Sequence, residues 1–122
     1  ILLTAAGYCM LSDFGVSEKF ASAETQMKGK TGTKAYMPPE SLRGEPYGLE
    51  FDWWSFGVTV HEFLTNQLPK PDSSDGKIHF EGPRASVVPE AQDLVRRLLE
   101  PDRASRLSTG AAIREHSWLV SM

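Results

Sequence analysis

The sequence predicts an α+β fold, a mainly helical body with a short β-hairpin at its start, and three observations carry that prediction. Residues 52–64, DWWSFGVTVHEFL, are apolar around nearly the whole circumference of a helix. Residues 89–100 place Ala91, Leu94, Val95, Leu98 and Leu99 at positions i, i+3, i+4, i+7 and i+8. Two short apolar runs flank Ala6 and Gly7 near the beginning. A chain of 122 residues is long enough to bury a core, and one domain is the natural reading.

In chain order, residues 1–3 and 8–11 read as the two strands around the turn at Ala6-Gly7. Ile1 to Leu3 already looks like the body of a strand, an apolar edge that invites pairing, and the chain reads as a piece of something longer. Residues 13–36 carry Gly15, Gly29 and Gly32 among small polar residues, with no sustained period of 2 or 3.6, and form a long irregular loop. Pro38-Pro39-Glu40 begins a short helix, since a proline is tolerated where the first-turn amide has no partner. In the helix at 52–64, Asp52 suits the N-cap or first turn, and its apolar circumference implies a central pillar with elements packed over every side. Residues 69–85 return to Pro, Gly, Ser and Asp, with only residues 77–80 hinting at extended structure. Pro89 opens the next helix, whose acids precede its bases as the helix dipole prefers. A last helix spans 108–116, with Ser108 as its cap and a stripe running through Ala112 and Ile113 toward Trp118 and Leu119.

Composition narrows the function classes. Thirteen Lys and Arg stand against sixteen Asp and Glu, a net charge of −3 with no basic block, which gives no electrostatic case for nucleic acid. The single Cys9 cannot form an internal disulfide and suits a reducing compartment. Apolar runs break well short of a membrane span, and no basic start leads into a signal segment. These readings describe a soluble intracellular, cytoplasmic protein with no membrane partner. His61, His79 and His116 are too isolated for zinc and read as surface or half-buried residues.

Four ordered stretches then resemble one family. Asp13-Phe14-Gly15 resembles the metal-binding triplet of eukaryotic protein kinases. Thr31-Gly32-Thr33 through Pro39-Glu40 resembles the end of their activation segment, with Pro38 where Ala is usual. Asp52-Trp53-Trp54-Ser55-Phe56-Gly57-Val58 is similar to their core helix, and Leu98-Leu99, Asp102 and Arg106-Leu107 to the closing motif, Arg103 standing where Pro is common. The resemblance is to the C-terminal lobe of the serine/threonine type, beginning just after the catalytic loop. Any one triplet alone would be weak; Asp13-Phe14-Gly15 by itself reads more often as a surface turn with a half-buried aromatic, and a Ser/Thr turn is a rival reading of Thr33.

The resemblance implies a partial kinase domain over 1–122, with an activation segment at 13–40. It implies that Asp13 holds the Mg2+ bridging the ATP phosphates, that Phe14 packs beneath it, and that Gly15 lets the backbone turn. Thr33, Lys34 and Glu62 would face a protein or peptide substrate, Thr33 beside the catalytic aspartate and Glu62 toward a substrate arginine. Ser22, Thr25 and Thr31 are hydroxyls that phosphorylation could reach. Glu40 and Arg106 would form a buried ion pair, and Asp52 would hold the catalytic-loop backbone. The glycine-rich loop, the phosphate-pairing lysine, its glutamate and the catalytic aspartate have no match in 1–122. ATP and Mg2+ therefore belong to an intact parent that supplies the missing upstream part, and no cofactor is expected to bind this chain strongly. The expected function is part of a serine/threonine kinase that transfers the ATP γ-phosphate to protein hydroxyls, inactive on its own. The alternative is an inert, pseudokinase-like interaction or scaffold module. The family's additional helix has no room between Pro69 and Gly76, so burial on that side should be thin.

Overall fold

The computed structural model describes residues 1–22, 24–30, 32–80 and 86–122. Strands β1 (Leu2–Leu3) and β2 (Cys9–Met10) form an antiparallel hairpin, with Leu2 opposite Met10 and Leu3 opposite Cys9. Its loop closes on Thr4, whose Oγ1 accepts the Tyr8 amide at 2.9 Å, and on Gly7, whose φ of +85° suits a residue without Cβ. A 3-10 turn at Lys34–Tyr36 precedes α1 (Pro39–Leu42) and the long α2 (Glu50–Thr65), followed by α3 (Pro89–Leu98), α4 (Gly110–Arg114) and α5 (Ser117–Val120). Residues 13–33 are irregular where described, held by one bridge between Met27 and Tyr47.

Helix α2 begins two residues before the predicted start. Glu50 folds back so that its carboxylate accepts the Gly48 amide at 2.9 Å, closing the helix end and leaving Asp52 in the first turn. It ends at Asn66, left-handed at φ 54°, whose amide donates to the Glu62 carbonyl at 2.7 Å. Helix α3 stops at Leu98 rather than at residue 100, because Pro101 disfavours helical geometry at the residue before it. The predicted helix at 108–116 is two short helices. Thr109, not Ser108, caps the first, and His116 accepts the Trp118 amide to cap the second.

The core forms where α2 meets α3. Trp54, Val58, Val60, Val95 and Leu99 make one cluster with Ile78 and Phe80, and Leu94, Leu98 and Ile113 make a second. Phe56 and Trp118 pack against both. Each fully buried aliphatic side chain here contributes about 1.5–3 kcal/mol. The close approach depends on Gly57: a Cβ there would lie 2.8 Å from the Leu98 Cβ and 3.0 Å from Leu99 Cδ2. Ile78 and Phe80 are buried although their stretch is rich in loop-forming residues. His61 is fully buried and His116 nearly so, deeper than the surface or half-buried placement expected of them; only His79 is exposed. His61 Nδ1 lies 2.8 Å from the Gln67 carbonyl, and His116 Nε2 lies 3.0 Å from Asp93, so burial is compensated by hydrogen bonds.

The pillar is not covered on every side. Asp52 and Phe63 are exposed, and the side of α2 that includes Phe56 and Thr59 borders open space. The hairpin and the start of the loop lay no side chain into the core: Leu3 is 72% exposed and Leu11 75%.

Candidate active site

The open side of α2 faces the beginning of the irregular loop across a cavity of about 630 Å3, lined by Asp13, Phe14, Leu11, Asp52, Phe56 and Thr59 among others. Asp13 therefore stands over the first turns of α2. A neighbouring cavity of about 560 Å3 is lined by Asp13, Thr33, Gly32, Tyr36 and Ser55. Asp13 and Thr33, twenty residues apart in sequence, thus share one space.

Local geometry explains how they meet. Asp13 takes a left-handed backbone, φ 63°, and Ser17 closes the next turn by donating to the Phe14 carbonyl at 3.1 Å. The turn-enabling role expected of Gly15 falls to Asp13 instead, since a short polar side chain tolerates that conformation. Phe14 does not pack beneath Asp13; it is 66% exposed, because no second layer covers that side in this chain.

Thr33 is placed by a strap that sequence reasoning missed. Ser55 Oγ donates to the Tyr36 carbonyl at 2.9 Å, and the Tyr36 hydroxyl donates to Glu62 Oε2 at 2.5 Å. Tyr36 is pinned at both ends to α2, so the 3-10 turn that follows Thr33 lies along the helix. A hydroxyl in the otherwise apolar run Trp53 to Val58 was the available signal. The Thr33 side chain does not cap that turn, and Thr33 and Lys34 are both exposed. Glu62, expected to read a substrate arginine, already accepts the Tyr36 proton, and this bond raises the tyrosine's pKa.

Behind the strap stands a fixed ion pair. Arg106 Nη1 and Nη2 donate to the two Glu40 oxygens at 2.6 and 2.9 Å, with both side chains fully buried. Arg106 also donates to the Glu100 carbonyl at 2.8 Å and lies over the Trp54 ring, 4.8 Å from its centroid. Burial pushes the Glu40 pKa up, but the Arg106 hydrogen bonds and charge outweigh it and hold the carboxyl below its ordinary value. The contacts of a second arginine were not foreseen from the sequence: Arg103 donates to the Pro46 carbonyl at 2.7 Å and pairs with Glu50, tying the closing loop to the start of α2.

Asp52 sits at the cavity edge, where desolvation alone raises its pKa. Ser22 is exposed, its amide donating to Thr25 Oγ1 at 3.2 Å, and Thr25 is half-buried. Thr31 lies outside the described residues. Among the described residues no group of three or more His, Cys, Asp or Glu could hold a metal ion, so one carboxylate at Asp13 is an incomplete magnesium site.

The protein kinase domain model matches residues 1–119. Protein kinase C delta type of Rattus norvegicus is 32% identical over 129 residues, covering 100% of this chain and 19% of that protein. Serine/threonine-protein kinase PEPKR2 of Arabidopsis thaliana is 37% identical over 130 residues, covering 98% and 27%. The RAC family serine/threonine-protein kinase homolog of Dictyostelium discoideum is 35% identical over 130 residues, covering 100% and 29%. The chain spans less than a third of the length of these relatives.

Proposed function

This chain belongs to the protein kinase domain family, and from that premise we propose that it is the C-lobe part of a serine/threonine kinase that phosphorylates protein or peptide hydroxyls. The observation that carries the reading is the shared cavity of Asp13 and Thr33 beside the first turns of α2. In the family, ATP with Mg2+ supplies the phosphoryl group and the cation that offsets its charge.

The chain's own residues contribute positions. Asp13 contributes a hard carboxylate to the lining of the cavity. Thr33, held by the Tyr36 strap, offers a hydroxyl to an incoming Ser or Thr residue, with Lys34 beside it. Glu40 and Arg106 act by fixing the end of the 13–40 activation segment against the helices, so they are positioning residues. Ser22, Thr25 and Thr31 are the hydroxyls through which the segment would be regulated. The whole domain acts inside the cell, in the cytoplasm; no described helix is long and apolar enough to cross a membrane. Without the upstream groups the 122 residues bind neither ATP nor Mg2+ strongly and turn nothing over.

Phosphate transfer from labelled ATP to Ser/Thr peptides by the longer protein tests this. Asp13→Asn should reduce the rate by about 100-fold or more, the loss typical of removing a charge-stabilising group. Full activity in that variant would remove Asp13 from the site, and no transfer by the parent itself would favour the inert interaction module.

A further inference from the structure

Among the described residues, the middle of the irregular segment meets the helical body chiefly through one bridge. Met27 and Tyr47 exchange both backbone hydrogen bonds, at 2.8 and 2.9 Å. The Gly29 carbonyl accepts the Ser41 hydroxyl at 3.2 Å, a longer bond. The Thr25 carbonyl comes against Gly48, where a Cβ would stand 3.6 Å from it. Of residues 24–30 only Thr25 and Met27 are half-buried, and the others are exposed. This part of the segment therefore lies where residues 46–50 put it.

What fixes residues 46–50 comes from much later in the chain. Pro46 has no amide to donate, and its carbonyl accepts Arg103 Nη1 at 2.7 Å. Arg103 Nη2 pairs with Glu50 Oε1, the same oxygen that accepts the Gly48 amide at 2.9 Å. One planar guanidinium thus holds the chain on both sides of Tyr47 through separate donors. The Tyr47 ring is itself buried against Phe51, their centroids 4.8 Å apart, so its side chain is held independently while its backbone edge follows its neighbours. The Arg103 and Glu50 side chains are 36% and 18% exposed, against 57% and 47% for Arg43 and Glu45 in the same loop, so water screens the first pair less. A proline at position 103, common in the protein kinase family, could form neither contact.

We propose that Arg103 is a positioning residue for the 13–40 segment, a latch reaching it from the closing loop. Through the Pro46 carbonyl and Glu50 it sets the backbone edge at Tyr47 on which Met27 rests. The bearing of this latch on phosphate transfer rests on the proposed function; its effect on the order of the segment does not.

Amide hydrogen exchange of the full 122-residue chain, resolved by residue with NMR, provides the test. Arg103→Gln should lower protection of the Met27 and Tyr47 amides by about fivefold or more, and that of the Leu94 and Val95 amides by less than about twofold. Glu50→Gln, which keeps an oxygen for the Gly48 amide, should loosen Met27 and Tyr47 by about twofold to threefold. The double variant should add little to Arg103→Gln alone, because the two side chains act through one contact. Arg43→Gln removes the same charge from a pair made within its own loop and should leave both amides unchanged. Circular dichroism melts establish that each variant is folded, and Glu50→Gln carries the test if Arg103→Gln is not. Unchanged protection of Met27 and Tyr47 in Arg103→Gln, an equal loss in α3, an equal loss in Arg43→Gln, or full additivity in the double variant would each overturn the proposal. These readouts need no phosphate transfer, so failure of the proposed function would show separately, as a longer protein that transfers nothing.

Discussion

Residues 1–16 and residues 94–99 are both rich in large apolar side chains, and they meet opposite fates. Leu94, Val95, Leu98 and Leu99 are sealed between α2 and the helices after α3, whereas Leu2, Leu3, Leu11, Phe14 and Val16 are all exposed. Hydrophobicity alone does not decide the difference. Helix α3 presents one continuous stripe to a neighbour long enough to cover it, and Gly57 allows that neighbour close. The hairpin has two-residue strands and no second layer in this chain, and so small a sheet cannot bury a face by itself. The exposed region is also the one that carries Asp13. The helical body is a finished scaffold, and in the function proposed above the N-terminal region is one wall of the site.

If the body is the finished half, the largest effect should come from its buried ion pair. Arg106→Ala strands the Glu40 carboxylate in the interior and should cost about 3–5 kcal/mol, read as a shift in urea unfolding. A loss near zero would mean that the two halves are equally loose. Gly57→Ala should cost about 1–3 kcal/mol in the same assay, because the added methyl meets the Leu98 Cβ, which cannot move without its helix.

Acid sharpens the same contrast. The Glu40 and Asp93 carboxyls are held below their ordinary values, so the unfolded chain takes up these protons first as pH falls. Their stabilisation is present above the ordinary carboxylate range and should drain away as pH drops below about 4. Asp52, with a raised pKa, has the opposite sign: its neutral form is favoured in the fold, and its contribution is lost as pH rises through its folded value. Melts of Glu40→Gln should therefore start lower at neutral pH but fall less steeply in acid. The smallest effect belongs to the exposed wall. Leu3→Ser should change stability by no more than about 0.5 kcal/mol while reducing binding of a hydrophobic dye.

The contrast also marks what the sequence could reveal. The interior of α2 and the stripe of α3 were legible because periodicity reports which residues share a face. The meeting of Glu40 and Arg106, sixty-six positions apart, came from resemblance, since no local pattern links them. Periodicity cannot tell whether a second layer lies opposite an apolar face, so the open side of α2 and the exposure of Phe14 were unreadable. Ile78 and Phe80 were hidden for the converse reason: the turn-forming residues around them speak for backbone shape, while burial is decided by α2 and α3. The Ser55–Tyr36 strap and the Arg103 bonds depend on side chains reaching carbonyls far along the chain, which spacing does not encode.

Native-state hydrogen exchange tests most directly the claim that one region is complete and the other is a wall awaiting its cover. In the isolated chain, amides in α2 and α3 should be protected by orders of magnitude more than those of residues 1–20, and in the longer protein residues 1–20 should gain protection. Equal protection of the two regions in the isolated chain, or no gain for residues 1–20 in the longer protein, would contradict the account.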